Sequence, residues 1–352
     1  MPARGRTLRS KTLVALEITE ESVRAVEVTT GRTPKLIAAG EVPLPEGAAK
    51  DSEILDRDAV ALALQRLWAD AKLTGRDVVL GVGNRRILVR EHATTLTNPA
   101  HIREALPLEV QDRLPVPVDQ AVLDFIPTSQ DADGVRGLLV AAVAEHMEEL
   151  VDALTQARLR PTSIDLTAFG YARALRQLSG ESDTAMLIGM GEHTTHIVIA
   201  TGGIPRFVRV LPIDIVAGAE TDGPDVAPER TAPSTPTAPL RRVRMAVGDD
   251  PAAPRALHAD VQAALIDLIG RLRSTVSFYR DRPDAAAIDA VWVVGEHAWH
   301  PRLLESISRI AEAEALPVAL GDLVPVTPNL PIPGDVGARL VGTAALVVGG
   351  AR

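Results

Sequence analysis

From Thr12 the chain runs Thr-Leu-Val-Ala-Leu-Glu-Ile, an apolar stretch that predicts a strand over 12–18. Ser22 to Thr29 alternates apolar and polar positions, the period of two expected of a half-buried strand. The short Glu20-Glu21 step between them predicts a hairpin. Pro34 to Leu44 adds a third strand, and Val60, Leu62, Leu64, Leu67 and Trp68 carry helical spacing through Asp58 to Leu73.

Further along, Val78 to Gly81 and Ile87 to Val89 predict strands around a Gly83-Asn84 turn signal. Ile102, Leu106, Val110 and Leu114 predict a helix over 101–114, with Pro107 expected to confine regular helix to the part after it. The run Leu114-Pro-Val-Pro-Val118 stops it, because two prolines remove donors and force extended backbone. Strands at 123–126, 137–143 and 163–166 and a helix over 145–158 complete an α+β unit.

A second cycle begins at Met186-Leu-Ile-Gly, continues through Thr195 to Thr201, turns at Gly202-Gly203 and returns through Phe207 to Leu211. It repeats the opening of the chain, and such duplication is typical of folds whose two halves face each other across a cleft. Residues 217–255 hold seven prolines with little periodicity and read as a flexible insert. Helices follow at 257–280, 301–315 and 338–348, with a buried strand at 291–294. The expected fold class is α/β, an actin-like, duplicated ribonuclease-H-like fold with an inserted α+β subdomain. Its expected parts are a basic tail at 1–11, a first half at 12–77 and 167–180, the inserted subdomain at 78–166, a second half at 181–216 and 257–352, and the Pro-rich insert at 217–256.

Composition narrows the function. Among 352 residues the net charge is −9, which argues against nucleic-acid binding, and aromatic residues make up only 3 %, too few for a base-stacking platform. There is no cysteine, so disulfides, thiolate zinc sites and a Cys nucleophile are excluded and a cytoplasmic setting is expected. No apolar run approaches the roughly 20 residues of a spanning helix, and no signal segment is read at the start. Arg4, Arg6, Arg9 and Lys11 form a basic tail suited to a solvated end or to contact with anionic lipid or an acidic partner.

Actin-like ATPases cradle phosphate in two glycine-containing loops, with an Asp beside magnesium, and place a third glycine-rich turn under the adenosine. The corresponding segments are Glu17-Ile-Thr-Glu-Glu-Ser22, Gly189-Met-Gly-Glu-His-Thr-Thr195 and Gly295-Glu-His-Ala298. Leu16-Glu-Ile-Thr-Glu-Glu-Ser-Val-Arg-Ala-Val-Glu27 resembles the first phosphate segment of the PilM family of type IV pilus assembly proteins. Glu104-Ala-Leu-Pro-Leu-Glu109, Leu114 to Val118 and Leu123-Asp124 are similar to that family's inserted subdomain. Arg158 to Asp165 with Ala172-Arg-Ala174, Gly203 to Ile213 and Arg273 to Tyr279 continue the resemblance in order along nearly the whole chain apart from the insert.

The departures fall on the nucleotide site. Glu17 replaces an Asp and Thr19 a Gly in the first loop, Gly189 replaces an Asp in the second, and Glu296-His297 stand for two glycines in the third. The degenerate cleft is therefore assigned to Glu17, Thr19, Ser22, Arg24, Gly189, Gly191, Thr194, Thr195, Gly295 and Glu296, with Glu192 and Glu296 opposing a triphosphate. No catalytic residue, metal ligand or obligatory cofactor is assigned, and ATP with magnesium is at most a weak ligand. Gly-Glu-His-x-x-His occurs at 191–196 and 295–300, but in extended backbone that spacing sends the two His to opposite faces.

The resemblance implies a cytoplasmic scaffold at the inner face of the cell membrane that binds the N-terminal peptide of a bitopic, PilN-like protein, alongside other pilus assembly proteins. Membrane contact would be indirect or through the basic tail. In the family the peptide lies between the first domain and the inserted subdomain, which points to Leu114, Val116, Pro117, Val118, Asp124, Leu138 and Val140. The alternatives are an ATP-responsive switch in the same machine and a sugar-kinase-like enzyme. The latter needs a catalytic Asp and intact phosphate glycines that the sequence lacks.

Overall fold

A computed structural model describes residues 12–31, 33–50, 53–83, 86–215 and 259–349. The basic tail 1–11, the insert 217–256, Asn84 of the expected turn and the helix start expected at Leu257 lie outside them.

The opening strands are β1 (Thr12–Ile18), β2 (Ser22–Thr29) and β3 (Leu36–Pro43), followed by two short strands, β4 (Ala49–Lys50) and β5 (Glu53–Ile54). Helix α1 (Arg57–Asp70) starts at Asp56, whose carboxylate accepts the Ala59 N–H, and buries Val60, Leu64, Leu67 and Trp68. Then come β6 (Asp77–Val82), β7 (Leu88–Thr94), α2 (Pro99–Val110), β8 (Ala121–Asp131), β9 (Gly134–Val143), α3 (Ala144–Gln156), β10 (Arg160–Leu166) and α4 (Thr167–Ser179). The second half holds β11 (Thr184–Met190), β12 (Thr194–Thr201), β13 (Ile204–Pro212), α5 (Ala259–Arg280), β14 (Ala290–Val294), α6 (Pro301–Ala311), β15 (Ala315–Pro317), α7 (Leu320–Leu323) and α8 (Gly334–Ala345).

The duplication is explicit in the sheets. One is ordered β10-β6-β1-β2-β3 and the other β13-β12-β11-β14-β15. In each, three strands run antiparallel and two more join parallel to the first of them, with Val14 beside Val78 and Ala185 beside Ala290. This is the ribonuclease-H-like order, present twice. Helices α4 and α8 pack between the halves, in one core cluster with Ala15 and Val26 of the first sheet and Leu187 and Val198 of the second. The helices come close where side chains are smallest. A Cβ on Gly170 would lie 3.1 Å from the Ala345 carbonyl carbon, and one on Gly342 would lie 2.7 Å from the Tyr171 hydroxyl.

Two expectations need correction. The unit expected at 78–166 is not one body: β6 and β10 are central and edge strands of the first sheet, and Leu150 and Leu154 of α3 belong to the first core. Apolar runs announce strands without saying which sheet they join. The separate piece is the three-stranded sheet β7-β9-β8 with α2 against one face, where Leu106 and Val110 cover Leu139. Pro107 does not confine α2 either, since the helix runs unbroken from Pro99. The buried stripe Ile102, Leu106 and Val110 holds it across the proline, and the bond lost is the one to exposed Arg103.

Glu27 is fully buried in β2, and its carboxylate accepts the backbone N–H of Thr74 (2.7 Å) and Gly75 (2.8 Å) and the Thr74 hydroxyl (2.7 Å). Trp68 Nε1–H donates to the Gly75 carbonyl at 2.8 Å, so the turn before β6 is held from both sides. Glu27→Ala takes the acceptor from three donors, of which the Gly75 N–H is buried, and should cost about 3 kcal/mol in urea unfolding. A loss below about 1 kcal/mol would show that this turn does not depend on the carboxylate.

Candidate functional site

The C-terminal ends of β1 and β11 and the turn after β14 meet in a cleft between the halves. Glu17, Thr19, Arg24, Gly191, Thr194, Gly295 and Glu296 all line it. Of the other residues assigned to it, Ser22 lies behind, its hydroxyl donating to Glu41 at 2.7 Å. Gly189 is covered by the Tyr171 ring, which a Cβ at 189 would approach to 2.5 Å, and Thr195 is fully buried in β12.

Protein groups take up much of each loop, although the buried Thr195 Oγ1 of the second and His297 Nε2 of the third have no hydrogen-bond partner among the described residues. Glu17 reaches two helices at once, accepting from Thr167 Oγ1 (2.8 Å) on α4 and Thr343 Oγ1 (2.6 Å) on α8. The Thr19 N–H donates to the Ser22 carbonyl at 2.9 Å and its hydroxyl accepts the Ser22 N–H at 3.0 Å, so this turn closes on itself. The Gly191 N–H is likewise taken by the Thr194 carbonyl at 2.9 Å. Gly295, at φ +116°, is required by packing: a Cβ there would fall 2.2 Å from the Met190 carbonyl oxygen.

Arg24 spans the cleft. Its side chain is 6 % exposed, Nε donates to Glu41 at 2.7 Å, and Nη2 pairs with Glu192 of the opposite half. Arg339 of α8 extends the chain of charges to Glu41 (2.8 Å) and Glu296 (3.3 Å). Burial opposes the Arg24 charge, but the Glu192 and Glu41 carboxylates outweigh it and raise its pKa. Burial likewise opposes the Glu41 charge, yet Arg24 and Arg339 hold its carboxyl below the usual range. Burial, with Glu17 and Glu192 near, pushes the Tyr171 phenol up. The space left is about 120 Å³, against roughly 300–1,000 Å³ for ordinary ligand pockets.

Of the paired-motif histidines, His193, His196 and His297 all line the cleft, each in a different setting. His193 lies between Glu21 (3.0 Å) and Asp214 (2.8 Å), whereas buried His196 donates from Nε2 to the Gly83 carbonyl at 2.8 Å. His297 and His300 sit in a turn before α6 and not in a strand. Among the described residues no group of three or more His, Cys, Asp or Glu is placed to hold a metal ion.

A second concavity of about 550 Å³ lies between the first half and the three-stranded sheet. Asp124 and Val140 line it as expected, with Val122, Ile126, Met147 and Phe169, which sequence spacing did not single out. Leu114 packs instead on the α2 side with Leu106 and Leu139, and Leu138 faces a third cavity toward the second half. Val116, Pro117 and Val118 line none of the three. The proline run ends α2 on the far face of the sheet, away from this groove. Asp124, Glu148, Asp152 and Asp165 give the groove an acidic border.

The family described as "Type IV pilus assembly protein PilM" matches residues 15–210. The whole fold is similar to the solved PilM–PilN type IV pilus biogenesis complex, at 20 % identity and a TM-score of 0.75, over 95 % of this chain and 97 % of that one. A weaker likeness, TM-score 0.48 at 11 % identity over 97 % and 91 % of the two chains, links it to ethanolamine utilization protein EutJ from Carboxydothermus hydrogenoformans.

The two cleft histidines predict opposite pH dependences. Burial pushes His196 down to about 4, below the roughly 6.5 of an unfolded histidine, so the unfolded chain binds more protons between those values. Stability should therefore fall as pH drops from about 6.5 toward 4, by about 3 kcal/mol from this group. At His193 burial opposes the charge, but hydrogen bonds to Glu21 and Asp214 raise its pKa. Its contribution is present below about pH 6.5 and lost as pH rises through the raised value. Denaturant midpoints across pH should flatten on the acid side in His196→Gln and drop below neutrality in His193→Gln. Unchanged profiles would contradict both assignments.

Proposed function

The chain belongs to the PilM family of type IV pilus assembly proteins, and from that premise we propose that it is a nucleotide-independent adaptor holding the cytoplasmic N-terminal tail of a PilN-like inner-membrane protein. The observation that carries this is Arg24, whose buried charge is already matched by Glu41 and Glu192 in the place where the resemblance leads one to seek a triphosphate. A nucleotide would have to displace these pairs, enter a small space and meet Glu192 and Glu296 without the lost Asp positions. ATP hydrolysis has no residue to perform it on this account.

The adaptor surface is the groove between the first half and the three-stranded sheet. Val122, Ile126, Val140 and Phe169 supply apolar contact, and Asp124 and Glu148 meet no cation among the described residues. The tail of a bitopic protein carries Lys and Arg on the cytoplasmic side, so an acidic border suits it. The solved relative is itself a complex with PilN, which supports this partner class. No helix among the described residues is long and apolar enough to cross a membrane, and the protein in this scheme is peripheral, recruited to the inner face by its partner.

Two measurements test this. In calorimetry with a PilN-like tail peptide, Asp124→Lys with Glu148→Lys should weaken binding at least tenfold, about 1.4 kcal/mol, and unchanged affinity would remove this groove as the site. In a thermal-shift titration, millimolar Mg-ATP should leave the melting temperature unchanged, since a ligand of the folded state must raise it. A clear rise would favour the ATP-responsive switch instead.

A further inference from the structure

The third cavity, about 1,220 Å³, lies between the three-stranded sheet and the second half. Its walls are β7 and β9 on one side and β13 with the end of α5 on the other. Two cross-links fix its width: Arg282 pairs with Glu91 of β7, and Arg206 Nη1 donates to the Thr128 carbonyl of β8 at 3.3 Å. It is separate from the groove assigned to the tail peptide, which lies toward the first half.

Two independent features mark this cavity. The first is charge: Arg90, Arg113, Arg136, Arg206 and Arg282 line it against the carboxylates of Glu91 and Asp284, in a chain whose net charge is −9. Arg282 is occupied by both of those acids. Arg113 meets only His92 Nδ1 at 3.4 Å, Arg136 has Asp131 no nearer than 4.0 Å, and Arg90 makes no ion pair among the described residues. The second is backbone. Strand β7 pairs with β9 on one side only, and consecutive residues Val89 to Ala93, which point alternately to both faces of the sheet, line the same cavity. The cavity therefore opens on the outer edge of β7, whose backbone groups turned away from β9 have no strand partner among the described residues. Phe278, 59 % exposed, stands beside the edge as an apolar contact.

We propose that an extended acidic segment of a partner protein adds as a fourth strand along β7, its backbone pairing with the free edge and its carboxylates meeting Arg90, Arg113 and Arg136. Edge strands are ready templates for such addition, and a positive border selects for acidic side chains at alternate positions. Nucleic acid fits less well, because one exposed aromatic gives no stacking series and Glu91 and Asp284 oppose phosphate.

The test uses a fluorescein-labelled decapeptide of alternating Glu and Val as probe, with fluorescence anisotropy on the full chain. Binding should weaken at least tenfold in Arg90→Glu/Arg136→Glu, and likewise when a central Val of the peptide is replaced by Pro, which removes a strand donor. Arg113→Glu, at an exposed position, serves as a second variant should the double one fail to fold. A Lys-Val peptide that binds as well, a proline peptide that binds equally, or a single-stranded oligonucleotide that outcompetes the Glu-Val probe would overturn the proposal.

Discussion

A buried guanidinium must find its counter-charges wherever the fold can bring them, and Arg24 finds one on each side of the cleft. Removing such a charge from water costs several kcal/mol, which is recovered only by close, well-oriented carboxylates. Glu41 comes from the neighbouring strand of the same sheet, Glu192 from the opposite half, and Arg339 of α8 completes the cluster. The two halves are thus joined at their mouth by charge and at their base by the apolar packing of α4 and α8. In a nucleotide-dependent relative of such a fold, ligand phosphates would be the natural bridge at this place. Here the bridge is made of side chains.

That substitution extends into the packing beneath. Gly189, where the resemblance would put an acid, is roofed by Tyr171, and an Asp could not be restored without moving that ring. Glu17, one methylene longer than Asp, spends its carboxylate on threonines of α4 and α8. Of these changes Glu17 and Gly189 bring the halves into contact through α4 and α8, whereas Thr19 closes its own turn and Glu296 pairs with Arg339 of the same half. With the halves fixed, the three-stranded sheet is held at a set distance from both, and concavities form on its two sides. One has an acidic border and the other a largely basic one.

Much of this architecture was legible from periodicity. Strand runs at Ser22 to Thr29 and again at Thr195 to Thr201 marked both hairpins, although the first is buried on both faces and not half-buried as its alternation suggested, and the repeated strand–turn–strand order revealed the duplication. The loops of the cleft were found because glycine and short polar residues sit at fixed places between strands. What could not be read was partnership across long sequence distance. Glu41 looks like any polar residue of a strand, and Arg339 like any solvated residue of a helix, until register and helix packing bring both to Arg24. For the same reason β6 and β10 were assigned to the inserted unit: their apolar runs carry no label for the sheet they complete. Leu114 to Val118 were expected beside the groove from the family resemblance, yet the end of α2 directs Leu114 to the other face.

The claim that protein charges, and not nucleotide, hold the halves together is most directly tested by the distance between them. The chain has no cysteine, so spin labels can be placed at Lys50→Cys in the first half and Arg302→Cys in the second, both exposed. Pulsed electron–electron double resonance should give one narrow distance that millimolar Mg-ATP leaves unchanged and that Arg24→Gln broadens. A distance that shifts with Mg-ATP and is indifferent to Arg24→Gln would contradict it.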